Sequence, residues 1–457
     1  MKDLTQGPVG RHVLTLALFI ALSTAFQTLY FLADLYFVGR LGKEAVAAVA
    51  LAGNLMFLNL ALTQALGVGA TSLIAQAYGG KDPQRAEVLF NQALVLSTAC
   101  GLAFGLLGFP LRGAYSRALA ADALTATLGV EYLTFFLPAL FLQFPLVAMG
   151  AAFRALGDLK IPTALQVGTV VLNIVLAPTL MFGWVTGRPM GVAGTGLASL
   201  LAVAAACVAF TLYFRRAGSP VRFRRDQWRP RPRLWADMLR IGLPAGGEFA
   251  LVAVYTVLVY SIIRPFGAAA QAGFGIGLRL VQSLFLPVVA IAFATSPVVG
   301  QNFGARRGDR VRAAFYAAAA MSAAVMVVLT VLCRLAPAAL IRFFNADPAV
   351  VDLGSEYLRI ISLNFLASGI VFVSSSVFQG MGHTLPPLAS STLRLVLFAL
   401  PAYALSRRPG FHLWQIWYLS VATVTLQLLV NLWLLHREFA RRLPPVPEAA
   451  GEALAAR

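Results

Sequence analysis

The sequence predicts an all-α integral membrane protein with twelve transmembrane helices. They form two parallel six-helix repeats, an N-lobe and a C-lobe, related by a pseudo-twofold axis along the membrane normal. Three observations carry this reading. Of 457 residues, 59% are hydrophobic and only 12% charged, with a mean hydropathy of +0.78. Soluble domains carry roughly 25% charged and about 45–50% apolar residues, so lipid is the solvent this chain suits. Twelve stretches reach the roughly 20 apolar residues that a membrane crossing needs, and the second half of the chain repeats the first at a shift of 225 residues.

Taken in order, the first apolar stretch covers 13–38. It is too long for the core of a cleavable signal and lacks an A-x-A site, so it reads as a retained first helix. Stretches at 48–76, 90–110, 132–153, 160–184 and 191–214 complete an N-lobe over 1–214. A basic, proline-bearing linker follows over 215–237, read as a tether on the cytoplasmic face. The C-lobe, 238–436, holds stretches at 238–264, 270–300, 313–335, 357–378, 386–406 and 413–436, and a tail runs over 437–457. Several exceed one crossing, which tilt accommodates. Pro178, Pro244 and Pro265 mark kinks or helix ends. The alternating segments of about 10 residues that a β-barrel would need are absent.

The repeat is nearly gapless. Gly42 falls on Gly267, Gln76 on Gln301, Gly79 on Gly304 and Arg85 on Arg310. Glu131-Tyr132-Leu133 falls on Glu356-Tyr357-Leu358, and Phe153, Gly157 and Pro162 fall on Phe378, Gly382 and Pro387. Six crossings per copy is an even number, so both copies enter the membrane the same way. Such repeats supply two bodies that can rock about a site, which alternating access requires.

The formal charge of +18 raises the question of a nucleic-acid partner. Its distribution answers it. With the N-terminus cytoplasmic, the same face holds Lys2, Arg11, Lys81, Arg85, Arg154, Lys160, Arg306, Arg307, Arg310 and Arg312, the linker arginines, and Arg437, Arg441 and Arg442. The opposite face holds fewer than half as many, among them Arg40, Lys43, Arg112, Arg117 and Arg188. That is the positive-inside bias of an inner-membrane protein with both termini cytoplasmic. The charge therefore points to membrane lipid and not nucleic acid as the partner, and the chain is expected to be a monomer.

Ionisable groups at membrane depth cost at least about 2.5–3.5 kcal/mol on insertion scales, so each calls for a reason. Of eighteen carboxylates, only Asp34 and Glu248 lie away from loops and helix ends. Gln27, Tyr30 and Asp34 are spaced i, i+3, i+7 on one face of the first helix, about 6 Å below its outer end for Asp34. A polar face on an apolar helix turns toward a cavity or the bundle interior. Asp34 is thus a candidate ion-binding or proton-carrying carboxylate, with Asn173 and Ser199 as candidate partners. Glu248 in helix 7 and Arg279 in helix 8 lie at similar depth on antiparallel neighbours, the geometry of a buried ion pair. Arg359 and Arg394 are further intramembrane cations, the first expected to pair or snorkel.

No P-loop is present, so ATP does not drive this chain directly, and no catalytic set suggests an enzyme. The histidines lack metal-ligand spacing, and Cys100, Cys207 and Cys333 fall in separate apolar stretches as small buried hydrophobes. No cofactor and no metal are expected.

Several motifs together resemble the multidrug and toxic compound extrusion (MATE) family. Ala33-Asp34-Leu35-Tyr36-Phe37-Val38-Gly39-Arg40-Leu41-Gly42 resembles its helix 1 signature. Ala75-Gln76-Ala77-Tyr78-Gly79-Gly80 and Gly300-Gln301-Asn302-Phe303-Gly304 resemble the ends of its helices 2 and 8. Phe153-Arg154-Ala155-Leu156-Gly157-Asp158, Phe378-Gln379-Gly380-Met381-Gly382-His383 and the run Gly191 to Ser199 resemble its helix 4 and 10 ends and its helix 6 start. The resemblance implies a secondary-active antiporter that exports amphipathic organic cations or similar small drug-like solutes in exchange for inward H⁺ or Na⁺. It also implies cation-site roles for Asp34, Asn173 and Ser199. Departures are Ala177 where many members have Asp, Phe19 where many have Pro, and a helix 10 with no Asp, with Glu248 about one turn before the usual helix 7 acid. One N-lobe carboxylate leaves Na⁺ under-coordinated in charge, which points to H⁺. The alternative is a lipid-linked glycan flippase of related architecture, for which Arg279 and Arg394 would both face a central cavity.

Overall fold

The structure is a computed structural model and describes residues 3–185, 187–215 and 221–444. Residues 216–220 of the linker and 445–457 of the tail lie outside the described residues, as do Lys2 and Arg216. Among the described residues the chain forms sixteen α-helices. Counting the two helices of Lys43–Gly79 as one, eleven are long and apolar enough to cross a membrane, and one bent pair brings the spans to the expected twelve.

The first repeat holds α1 (Val9–Gly39), α2 (Lys43–Leu51), α3 (Gly53–Gly79), α4 (Pro83–Leu119), α5 (Ala123–Ala155), α6 (Lys160–Phe182) and α7 (Gly191–Arg215). The second holds α8 (Pro232–Ile263), α9 (Ala268–Leu284), α10 (Leu286–Gly304), α11 (Gly308–Leu335), α12 (Pro337–Arg342), α13 (Pro348–Ile361), α14 (Asn364–Gly380), α15 (Leu385–Ser406) and α16 (Leu413–Arg442). Three expected single spans are interrupted. The second breaks at Ala52, before Gly53; the eighth breaks at Phe285, two residues before Pro287; the tenth bends by 54° between α13 and α14. Pro178 and Pro244 lie inside α6 and α8, and Pro265 sits in the tight turn that ends α8.

Helix starts follow local chemistry. Asp82 and Asp122 accept hydrogen bonds from the Arg85 and Thr125 backbone N–H groups, satisfying donors that open α4 and α5. Backbone conformation repeats with the sequence. Lys81 and Arg306, 225 positions apart, both take the left-handed conformation, at φ 59 and φ 56. Gly157 and Gly382 do so at φ 68 and φ 75. A side-chain-bearing residue rarely holds that conformation, and here the same turn follows the same Gln-x-x-Gly stretch twice.

Two compact units divide the chain at Leu18/Phe19 and at Leu243/Pro244, boundaries related by the same 225-residue shift. The first unit runs from Phe19 to Leu243; the second comprises Asp3–Leu18 and Pro244 onward. This differs from the expected edges at 214 and 238 because α1 and α8 each continue through a boundary. In the first unit α5 is central, packed on α3, α4 and α7, with α6 against α7. Its core holds Phe90, Phe144, Phe153 and Phe214, all essentially inaccessible. The Phe90 and Phe214 rings stack at 4.8 Å. The start of α8 joins this unit by close approach: a Cβ on Gly242 would stand 1.9 Å from the Ala65 carbonyl oxygen, and one on Gly69 would stand 2.2 Å from that of Met238.

From Arg222 to Arg231 the linker is docked on α4. Asn91, buried in α4, donates through its amide to the Arg222 carbonyl at 2.8 Å and accepts from the Arg224 N–H at 3.0 Å and the Trp228 indole at 3.1 Å. Its neighbour Gln92 donates to the Arg229 carbonyl at 2.9 Å and accepts from the Arg231 N–H at 2.9 Å. In the second unit α14 packs on α10, α11 and α16, and α13 on α9 and α16. The N-terminal segment is held there by Gln301 and Asn302, which bond the Leu4 N–H and carbonyl at 3.0 and 3.1 Å.

Candidate functional site

In the first unit α1, α6 and α7 bring Tyr30, Asn173 and Ser199 together. The Tyr30 and Ser199 hydroxyls lie 2.8 Å apart. The Asn173 amide donates to the same Ser199 oxygen at 3.5 Å. Asn173 and Ser199 are buried. Asp34, one turn after Tyr30 on α1, lies within electrostatic reach of the Tyr30 and Tyr132 phenols. Its Oδ1 is buried and accepts no hydrogen bond. Among the described residues Asp34 forms no ion pair.

Two residues here have no counterpart in the sequence expectation. Tyr132 on α5 is buried, and its Glu-Tyr-Leu setting marks it only as part of the repeat. Thr195 is fully buried one turn before Ser199 on α7, with its hydroxyl unpartnered. That i, i+4 spacing from Ser199 is the signal that could have found it. Gln27 is exposed, with no hydrogen bond given to it by the structure, so it does not join Tyr30 and Asp34. Ala177, where many MATE members carry Asp, is buried in the apolar core with Leu140 and Met181.

The second unit carries two separate charged groups. Glu248 on α8 lies beside Ser375 of α14, and its Oε1 is buried and unpartnered. Arg279 is exposed on α9, and no ion pair joins it to Glu248 among the described residues. The rotation of α9 about its axis leaves Arg279 exposed and away from Glu248. Arg359 is exposed near the end of α13. Arg394 on α15 lies over the Tyr255 ring, 5.1 Å from its centroid. The Tyr255 hydroxyl is 3.2 Å from that of Ser420, which also receives the Asn364 amide at 3.3 Å.

An anionic oxygen held inside a bundle without a donor or cation is a place where a cation can be taken up. The hydroxyls and amide around Asp34 offer polar contacts to such a species while the surrounding helices stay apolar. This arrangement suits reversible binding of a proton or an organic cation.

Comparison with known proteins agrees with the motifs. The MatE family model matches residues 20–179 and again 244–404, one copy in each repeat. The chain is 25% identical over 419 residues to the "Probable multidrug resistance protein" of Bacillus subtilis (strain 168), covering 90% of each. It is 24% identical to a "Multidrug export protein" of Staphylococcus haemolyticus (strain JCSC1435), covering 86% of this chain and 88% of that one. Among solved structures, one described as the outward-facing conformation of a multidrug resistance MATE family transporter of the MOP superfamily shares the fold. Its TM-score is 0.88 at 24% identity, over 97% of this chain and 98% of that one. With both repeats matched by the family model, the chain belongs to the MatE family, the multidrug and toxic compound extrusion transporters.

Proposed function

We propose that this protein is a secondary-active exporter of amphipathic organic cations, driven by inward H⁺ and working by alternating access. The single observation that carries the reading is the buried Asp34 oxygen without a partner, beside the Tyr30, Ser199 and Asn173 cluster. Proton and drug exclude each other there. A proton taken up from outside neutralises Asp34, removes its attraction for a cationic solute, and favours return to the inward-facing state. Na⁺ is the poorer fit, because it would be held by one carboxylate and neutral oxygens, whereas a proton needs only the carboxylate itself. The names of the Bacillus and Staphylococcus relatives support a drug-like substrate. The excess of Lys and Arg on one set of connections supports an inner membrane with both termini cytoplasmic.

Purified protein in liposomes, loaded with a fluorescent organic cation, tests this with H⁺ and Na⁺ gradients imposed separately. The pH gradient drives export and the Na⁺ gradient does not. Export driven by Na⁺ alone overturns the assignment of the ion.

A further inference from the structure

A cation with no acid beside it stands at mid-helix in the second unit. Arg394 lies nine residues past Leu385, about 13 Å along the axis at 1.5 Å per residue. Its guanidinium stands over the face of the Tyr255 ring. Among the described residues no carboxylate lies within 4.0 Å of it. Glu248 precedes Tyr255 by seven residues on α8, about 10 Å lower, and makes no ion pair with Arg394 among the described residues.

A guanidinium carries five N–H donors in a planar fork. Contact with the face of a phenol ring leaves most of that fork unused, and an uncompensated charge inside a helix bundle is costly. The polar chain continues from Tyr255 to Ser420 and on to Asn364, whose carbonyl oxygen is buried without a donor. The cluster therefore offers strong donors at one end and an unmet acceptor at the other. Nothing equivalent occurs at the matching place in the first unit, where the residue 225 positions before Arg394 is Thr169.

We infer that Arg394, with Tyr255 and Asn364, forms a subsite for one anionic group. Its ligand is a carboxylate or phosphate on an amphipathic molecule that also bears an N–H or O–H donor. Planar, two-pronged recognition of such groups is what arginine does best. The subsite rests on the exporter reading above, but it concerns a different unit and is tested by binding.

The test uses the full-length protein in lipid-free detergent and two dyes, rhodamine B and its ethyl ester, which differ only in whether the carboxylate is free. Arg394→Gln weakens rhodamine B binding about tenfold or more, the scale of a lost charge-assisted contact, and changes the ester by less than about twofold. Arg394→Lys keeps part of the affinity, because the charge remains and the fork does not. Inorganic phosphate competes with rhodamine B on the wild-type protein and not with the ester, a readout that needs no variant. Equal loss of both dyes, or unchanged rhodamine B binding in Arg394→Gln, overturns the subsite. In nanodiscs, phosphatidylglycerol that lowers rhodamine B affinity only when Arg394 is present identifies a lipid phosphate as an occupant; no such effect assigns the site to solutes alone. Failure of the ester to be exported would sink the exporter reading and leave the dye discrimination standing.

Discussion

The Tyr30 and Ser199 hydroxyls meet at 2.8 Å, and 225 residues later Tyr255 repeats the first partner but not the second. Tyr255 instead reaches Ser420, one turn before Val424, the position equivalent to Ser199. The two repeats thus keep a tyrosine at one place and have diverged around it. An acid stands beside the first, and an arginine lies over the second.

Removing the first of these contacts has a bounded effect. Tyr30→Phe deletes one hydrogen bond and lowers stability by about 1 kcal/mol, read as a small drop in melting temperature in detergent. Export is slowed rather than abolished, because Asp34 is unchanged. Complete loss of pH-driven export in a folded Tyr30→Phe protein would show that the phenol itself carries the proton.

Close helix approach makes Gly242 a sensitive position. A Cβ there meets the Ala65 carbonyl at 1.9 Å, so Gly242→Ala destabilises by about 3 kcal/mol through overpacking. Gly168, exposed on α6 with open space around its Cβ position, is the control. Gly168→Ala stabilises by about 0.5–1 kcal/mol. Thermal unfolding of both variants checks the pair, and the opposite ranking contradicts the packing described.

The docked linker gives a proteolysis prediction. Asn91→Ala leaves the Arg224 N–H and the Trp228 indole without their acceptor. The cost is about 2 kcal/mol, so trypsin cuts between Arg222 and Arg233 on the order of tenfold faster. Unchanged cleavage in Asn91→Ala would mean that this amide does not hold the linker.

Asp122 gives the pH dependence. The Thr125 backbone N–H, and then its hydroxyl, hold the Asp122 carboxyl below the usual carboxylate range. A depressed folded-state value stabilises above the unfolded value and is lost as pH falls through the folded one. The melting difference between wild type and Asp122→Ala is therefore full at neutral pH and closes in strong acid. A difference that widens on acidification contradicts the cap.

Much of this was legible before the structure. Span positions followed from apolar run length, and the repeat from matched punctuation. Asp34 stood out because a carboxylate in an apolar run is costly, and Tyr30 followed by spacing. Depth along a helix is readable from residue count, whereas rotation about its axis is not. That is why Arg279 turned out exposed while Glu248 did not; Gln27 shares the Tyr30 face, and only packing shows that its turn of α1 is left exposed. Tyr132 and Thr195 were not singled out because hydroxyl side chains are common in membrane helices, and only packing shows which of them are buried at the site. The breaks at Ala52 and Phe285 and the bend between α13 and α14 fall inside apolar stretches, with at most a flanking Gly53 or Pro287 to mark them.

The central claim is that one carboxylate serves proton and drug in turn. It is tested most directly by proton release in weakly buffered detergent solution when the rhodamine B ethyl ester is added. Wild-type protein releases up to one proton per bound dye, and Asp34→Asn, folded and inserted, releases none and shows no pH-driven export. Proton release by Asp34→Asn equal to that of the wild type would contradict the account.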